Sequence, residues 1–362
     1  MSDAYAPHYW VDAAAPQPGH ALALGDGVHW LRMPMPLALD HINLWLLDDG
    51  DGWTAIDCGL ATDAARAAWT QLAATRLPPR PLRRVLCTHM HPDHVGLADW
   101  LCAGHGAELL MTQGEYLSAR LTAAGLAPTD PDSWLAHYRV HGASDDDLAQ
   151  LSGRGNFYMR MVPSMPTRYR RIVHGQTLRL ARADWQVIGG GGHSPEHAAL
   201  WCDAHGLLIS GDMLLPRIST NVSVFPIEPD ADPLGRYLDS LTRFEPLPAD
   251  TRVLPSHGLP FVGVHGRVRQ LREHHADRLG AVLQACAAQP LSARELVPVL
   301  FRRVLDVHQL SFALGEAIAH AHRLWHGGAL ERVGDGGAAS VWRWRTRDAS
   351  QGAARAAAGL DG

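Results

Sequence analysis

Thr88-His89-Met90-His91-Pro92-Asp93-His94 packs three imidazoles and a carboxylate into the six positions from His89 to His94, directly after the apolar run Arg84-Val85-Leu86-Cys87. A strand that ends in such a cluster delivers polar side chains to the rim of a sheet, where irregular backbone is tolerated. His89 and His91 alternate with Met90, so extended backbone points them the same way. Pro92 then forces a turn that brings Asp93 and His94 to a neighbouring point. The chain holds 22 His, so a single one means little. Four potential ligands in six positions are different, because polar groups crowded at a strand end are costly without an ion or water to satisfy them. Imidazole nitrogen suits zinc or iron, and a nearby carboxylate suits a second ion of the same kind. The stretch reads as half of a two-metal site.

His-x-His-x-Asp-His after a strand resembles the signature of the metallo-β-lactamase fold superfamily, where a Thr such as Thr88 is also usual. Three further segments match that family in order. Gly189-Gly190-Gly191-Gly192-His193 looks like its glycine-rich turn. Leu207-Leu208-Ile209-Ser210-Gly211-Asp212 looks like the strand presenting a bridging carboxylate. Val253-Leu254-Pro255-Ser256-His257 looks like the strand carrying the last His. The resemblance implies that His89, His91 and His193 hold one ion, that Asp93, His94 and His257 hold the other, and that Asp212 bridges them. It also implies two divalent cations, zinc first, with iron or manganese open, and a water activated between them as the nucleophile, with Asp93 in the catalytic group. Asp57, in Asp57-Cys58-Gly59, would support the ligands from behind, as ligating imidazoles need an acceptor for their other N–H; a turn-capping Asp is the plainer alternative. His197 is assigned a structural or supporting role. Glu196 departs from the family, which usually has Gly there, so the loop is expected to differ.

The implied fold is α+β: a four-layer αββα sandwich with a helical insertion and a small C-terminal winged-helix-like domain. The expected divisions are an irregular arm at 1–24, a hydrolase domain at 25–265 with an insertion at 112–175 beside the site, a C-terminal domain at 266–346, and a disordered tail at 347–362. Strands are expected at Val28–Arg32, Asn43–Leu47 and Trp53–Asp57, and helices at 62–77, 95–102, 113–123, 131–140 and 145–151. Pro78 and Pro79 should stop the first of these helices. Ser292-Ala293-Arg294-Glu295 is a capping box opening a helix. A second helix at 311–325 and a hairpin at 330–344 complete the winged-helix-like pattern. His274 and His275 are expected on a helix surface.

Composition excludes several classes. The 46% hydrophobic and 19% charged content is that of a soluble globular protein, and no apolar run is long enough to span a bilayer. No signal-peptide pattern opens the chain, and the five Cys are odd in number and without Cys-x-x-Cys spacing, so a cytoplasmic setting is expected. All 32 basic residues are Arg, which removes Lys nucleophiles and Schiff bases. The net charge of −5 gives no global attraction for nucleic acid.

The expected activity is hydrolysis of a small-molecule ester, thioester or lactone, such as an acyl-CoA. Tyr158, Arg168, Arg170 and Arg171 are the candidate substrate contacts, since the segment mixes aromatics, Met and Arg; a solvated Arg face is the alternative. The winged-helix-like tail resembles that of a subgroup containing endoribonucleases and polyketide-pathway thioesterases. Cleavage of single-stranded RNA is therefore the second reading, and an iron-dependent redox protein the third. A homodimer stays open.

Overall fold

The computed structural model describes residues 6–347 except 38, 76, 78–79, 154–156 and 335–339. The helix stop at Pro78 and Pro79, the tail beyond Arg347 and most of the turn at 334–339 lie outside the described residues. Two units form. The first comprises Met1–Leu126, Asn156–Thr220 and Tyr237–Gln270; the second comprises Ala127–Gly155, Asn221–Arg236 and Leu271–Gly362.

The first unit carries two seven-stranded sheets. One runs in the order Ala21–Gly25, Val28–Pro34, His41–Asp48, Trp53–Ile56, Leu82–Leu86, Glu108–Met111 and Arg170–Arg171. Its first four strands are antiparallel and the later pairings parallel, so the C-terminal ends of Trp53–Ile56 and Leu82–Leu86 open on the same edge. The other runs His8–Tyr9, Phe261–Val262, Arg252–Pro255, Leu207–Gly211, His197–Cys202, Ala183–Gly190 and Thr177–Leu180. Within it Leu207–Gly211 and Arg252–Pro255 are parallel, which again sends two strand ends the same way. The segment 1–24, expected to be irregular, instead gives each sheet an edge strand.

Alternation along the strands explains the layers. Trp30, Trp45, Leu47, Ile56 and Leu86 from the first sheet meet Leu180, Trp185, Val187, Leu200, Ile209 and Leu254 from the second in one buried core. The intervening residues Leu31, Met33, Leu44, Leu46 and Val85 face the opposite way, onto Trp69 and Leu72 of the helix Asp63–Thr75 and Leu101 of the helix Ala98–His105. Thr62 caps the first of these helices, accepting from the Ala65 N–H at 3.2 Å. Over the second sheet, Ser240 and Arg243 reach the backbone of Gly191 and Gly189. Trp185 is fully buried, with its Nε1–H on the Leu180 carbonyl at 3.0 Å. Trp185→Ala is expected to cost about 3–5 kcal/mol of unfolding free energy. Urea unfolding checks this, and a loss below about 1 kcal/mol would show that the inter-sheet core closes around the gap.

The second unit corrects the reading of 112–175 as a single insertion. Gln113–Ala123 stays with the sheets, but Pro131–Val140 and Asp145–Ser152 join the C-terminal helices. The cause is specific bonding: Asp147 pairs with Arg294 at 2.9 Å, the His141 carbonyl accepts from Arg294 N–H, and the Val140 carbonyl accepts from Trp342 N–H. The Ser292 capping box forms as expected. The next helix, Val307–His326, begins earlier than expected because Asp306 and Gln309 make a second capping box. Leu330–Val333 and Arg343–Thr346 form the hairpin. His275, expected on the surface, is buried, with Nδ1 3.2 Å from His320 Nε2. Among the described residues no helix is long and apolar enough to cross a membrane.

Candidate metal centre

Every residue of the expected ligand set sits at, or just after, the end of a strand in the first unit. Thr88 follows Leu82–Leu86 and leads into His89 and His91. Pro92 takes the first position of a one-turn helix, Pro92–Val95, which swings His94 inward to full burial. His193 lies in the turn between Ala183–Gly190 and His197–Cys202, Asp212 directly follows Leu207–Gly211, and His257 follows Arg252–Pro255.

The seven side chains converge into three overlapping groups: His89, His91 and His193; His89, His94 and Asp212; and Asp93, His94 and His257. In each group one ligand atom per residue lies within 4.8 Å of the others. His89 Nε2 is 3.0 Å from His91 Nδ1 and 3.1 Å from His193 Nε2. Asp212 spans the site, with Oδ2 3.4 Å from His193 Nε2 and Oδ1 3.6 and 3.5 Å from His94 and His257 Nε2. Asp93 Oδ2 lies 3.3 Å from His257 Nε2.

His94 and His257 are aimed by what their far nitrogens meet. Asp57 accepts from His94 Nδ1–H at 2.8 Å and also from Thr88 N–H at 2.7 Å and the Thr88 hydroxyl. Its backbone stands at φ +64°, a left-handed conformation that Asp tolerates better than most side chains and that points the carboxylate back under the ligands. His257 Nδ1 faces the His41 carbonyl at 3.0 Å, so its Nε2 faces the cluster. Asn43 anchors that loop, donating to the Pro255 and Gly258 carbonyls. His197 Nε2 accepts the Asp212 N–H at 3.2 Å, holding the bridging residue in register. The close approach requires glycine before it, since a Cβ on Gly211 would lie 2.3 Å from His197 Nε2.

Burial lowers His89 and His197 well below the ordinary imidazole range and takes His91 to about 3, with neighbouring histidines adding to the effect. His89 and His91 are thus neutral, as ligands must be, and so is His197, which accepts the Asp212 N–H. Burial opposes charge on Asp93 and Asp212 too, but His94 and His257 outweigh it and hold both as carboxylates, Asp93 at about 2. Conversely, Asp212 and Asp93 overcome burial to raise His257 to about 10, and Asp57, Asp93 and Asp212 together raise His94. The carboxylates of Asp57, Asp93 and Asp212 thus favour positive charge at this end of the site. The Nε2 of His94 and Oδ1 of Asp212 are buried without hydrogen-bond partners, a cost that a coordinated ion removes. The donor set fits two divalent ions.

The other candidates fall elsewhere. Tyr158 is half-buried, and its hydroxyl donates to the Met90 carbonyl at 2.5 Å, so it braces the histidine loop. Arg168, Arg170 and Arg171 are exposed; Arg170 and Arg171 form the edge strand beside Glu108–Met111, with Arg170 3.6 Å from Glu108. Sequence reading missed Glu115, a fully buried carboxylate on Gln113–Ala123 that accepts from Met90 N–H at 2.8 Å, the Ser194 hydroxyl at 2.6 Å and Glu196 N–H at 2.6 Å. In sequence it is an ordinary acidic residue in a first helical turn. Glu196, the departure from the family pattern, closes the same knot: its carboxylate accepts the Gly114 N–H at 2.8 Å.

A paired-sheet sandwich with this His/Asp cluster on one edge defines a metal-dependent hydrolase. Residues 37–257 match the model of the Metallo-beta-lactamase superfamily, and 279–347 match that of the Metallo-beta-lactamase-like, C-terminal domain. The chain belongs to the metallo-β-lactamase superfamily. It is similar to a Beta-lactamase domain protein from Burkholderia ambifaria, with 48% identity and a TM-score of 0.87 over 94% of this chain and 98% of that one. It is also similar to a metallo-beta-lactamase family protein from Thermus thermophilus, at 29% identity and a TM-score of 0.76 over 90% and 100% of the two chains. Among curated proteins, a Probable metallo-hydrolase of Bacillus subtilis is 24% identical over 80% of this chain and 89% of its own length. A Hydroxyacylglutathione hydrolase of Xanthomonas oryzae is 28% identical over 57% of this chain and 76% of its own.

Proposed function

We propose that this chain is a dinuclear metallohydrolase that cleaves a small-molecule ester or thioester, with zinc as the first choice of metal. The observation that carries the reading is the convergence of seven nitrogen and oxygen donors in which one carboxylate, Asp212, reaches both halves. His89, His91 and His193 would hold one ion, and Asp93, His94 and His257 the other. When bound, two such ions supply an acidified water and Lewis-acid polarisation of the scissile carbonyl. The chain's own part is to fix the donors: Asp57 keeps the proton on His94 Nδ1, the His41 carbonyl keeps it on His257 Nδ1, and His197 sets Asp212. A thiol nucleophile has no support, since burial raises both Cys58 and Cys87, the cysteines beside the site.

Thioesters are favoured by likeness to the hydroxyacylglutathione hydrolase, at an identity that carries the substrate no further than a proposal. Single-stranded RNA is disfavoured by the hairpin of the second unit, where Arg332, Arg343 and Arg345 are already paired with Asp230, Glu295 and Glu331. Arginines neutralised in this way add little phosphate attraction.

The test compares metal-loaded protein on acyl-CoA and hydroxyacylglutathione thioesters with a labelled single-stranded RNA, using His91→Ala as control. Thioester cleavage is expected, falling with His91→Ala by more than the roughly 10–100-fold that loss of an outer partner costs. RNA cleavage that dies with the same variant, thioesters remaining intact, would replace this reading with the ribonuclease one.

A further inference from the structure

The donors are braced by two carboxylates that bond different residues, although the Thr88 hydroxyl held by Asp57 also touches His89 Nδ1 at 3.0 Å. Asp57 bonds Thr88 and His94. Glu115 bonds Met90, which separates His89 from His91, and Ser194 and Glu196, which follow His193. None of these three bonds goes to Asp93, His94 or His257. We propose that Glu115 is a positioning residue for one metal site, setting the affinity of the His89, His91 and His193 donors independently of the other three. The inference rests on the dinuclear reading above.

The chemistry of the carboxylate makes the assignment specific. Two backbone N–H groups and one hydroxyl converge on a fully buried side chain, and only an ionised carboxylate accepts all three without presenting a donor of its own. Burial raises the Glu115 carboxyl, and the three donors pull it back. A Gln in the same space would turn an NH2 toward one of them, leaving a buried N–H or O–H without an acceptor. The tie that Glu115 makes between the two ligand loops would then weaken, although the Ala198 N–H on the Thr88 carbonyl would still join them. Around this bond the loops are also clasped to the start of the helix: the Thr112 hydroxyl donates to the Glu196 carbonyl at 2.7 Å, and the Glu196 carboxylate accepts from Gly114. Gly114 leaves room for it, as a Cβ there would lie 3.1 Å from the Glu196 Cβ.

The experiment strips the full-length protein of metal and titrates it with Zn2+ against a chromophoric chelator, then repeats the titration with Co2+ to distinguish the three-histidine site by its absorption. Wild type is expected to bind two ions. Glu115→Gln is expected to weaken one of them by about 10–100-fold, the three-histidine ion, and leave the other unchanged. Asp57→Asn, which loosens His94 directly and His89 through the Thr88 hydroxyl, should weaken both ions, and Glu115→Asp should recover part of the Glu115→Gln loss. Thermal unfolding in excess chelator supplies the control, since a merely structural Glu115 would lower the melting temperature of the metal-free protein and weaken both ions alike. That result, or two ions held by Glu115→Gln with wild-type affinity, overturns the inference. A wild-type protein that binds fewer than two ions sinks the dinuclear reading itself, and the inference with it.

Discussion

Asp212→Ala is expected to abolish hydrolysis and to leave the protein unable to hold two ions together. Asp212 alone among the seven reaches both halves of the site, through Oδ2 toward His193 and Oδ1 toward His94 and His257. Its loss removes a ligand from each half at once. It also removes one of the carboxylates that favour positive charge around His94 and His257. The effect should exceed the roughly 10–100-fold that loss of an outer partner costs, because a direct donor and a bridging charge go together. Metal content after dialysis and turnover on the preferred thioester measure it, with circular dichroism to show that the fold persists. Asp212→Ala that keeps two ions and wild-type turnover would show that the carboxylate lies beside the site without joining its halves.

Much of this was legible in the chain because the site is built from strand ends. Strands announce themselves by apolar runs, and a ligand cluster at their exit is local in sequence, as Thr88 to His94 is. Three other segments could be placed because each repeats that grammar: a strand, a tight turn, then a donor. Supporting groups were legible where they stood at a strand's end or start, as Asp57 and His197 do. Glu115 was not, because its role depends on two loops brought to it by the fold, and an acidic residue in a first helical turn has an ordinary explanation. The unit boundaries failed for a related reason. Helices 131–140 and 145–152 carry no mark of the partner they join; Asp147 finds Arg294 at a sequence separation of 147 residues. His275 is a different case: it stands at i+7 from Val268 and i+4 from Leu271, on the apolar face, and its residue type hid a burial that the spacing allowed. Tyr158 was picked for its chemistry, and its hydroxyl serves the backbone of Met90.

Acidification is expected to dismantle the second unit between about pH 6.5 and 4, ahead of any requirement from carboxylate chemistry there. His137 and His141 lie one turn apart on Pro131–Val140 and its cap, with ring centroids 4.7 Å apart, and His322 of Val307–His326 lies 5.8 Å from His141. All three are buried, and neither ring nitrogen of His141 has a hydrogen-bond partner. Burial lowers His137 and His322 to about 4 and His141 well below its ordinary range; the neighbouring histidines and Arg332 push the same way, while backbone hydrogen bonds to Val224 at His137 and Ala231 at His322, and Asp230 at His322, oppose it. The folded unit therefore refuses protons that the unfolded chain accepts from about pH 6.5 downward. Stability contributed by the neutral rings is complete above that pH and is lost as pH falls toward the folded values, at about 1.4 kcal/mol per pH unit for each histidine. For His137 and His322 the span to about 4 amounts to roughly 3 kcal/mol apiece, against a total of about 5–15 kcal/mol for an ordinary domain. His141→Leu removes one of the three sites. Urea unfolding of the metal-free proteins from pH 8 to 4 should show a shallower loss of stability in the variant, by about one proton's slope. Parallel curves for the two proteins would mean that these rings find solvent or a partner before they bind protons, and that the acid limit is set in the sheets of the first unit.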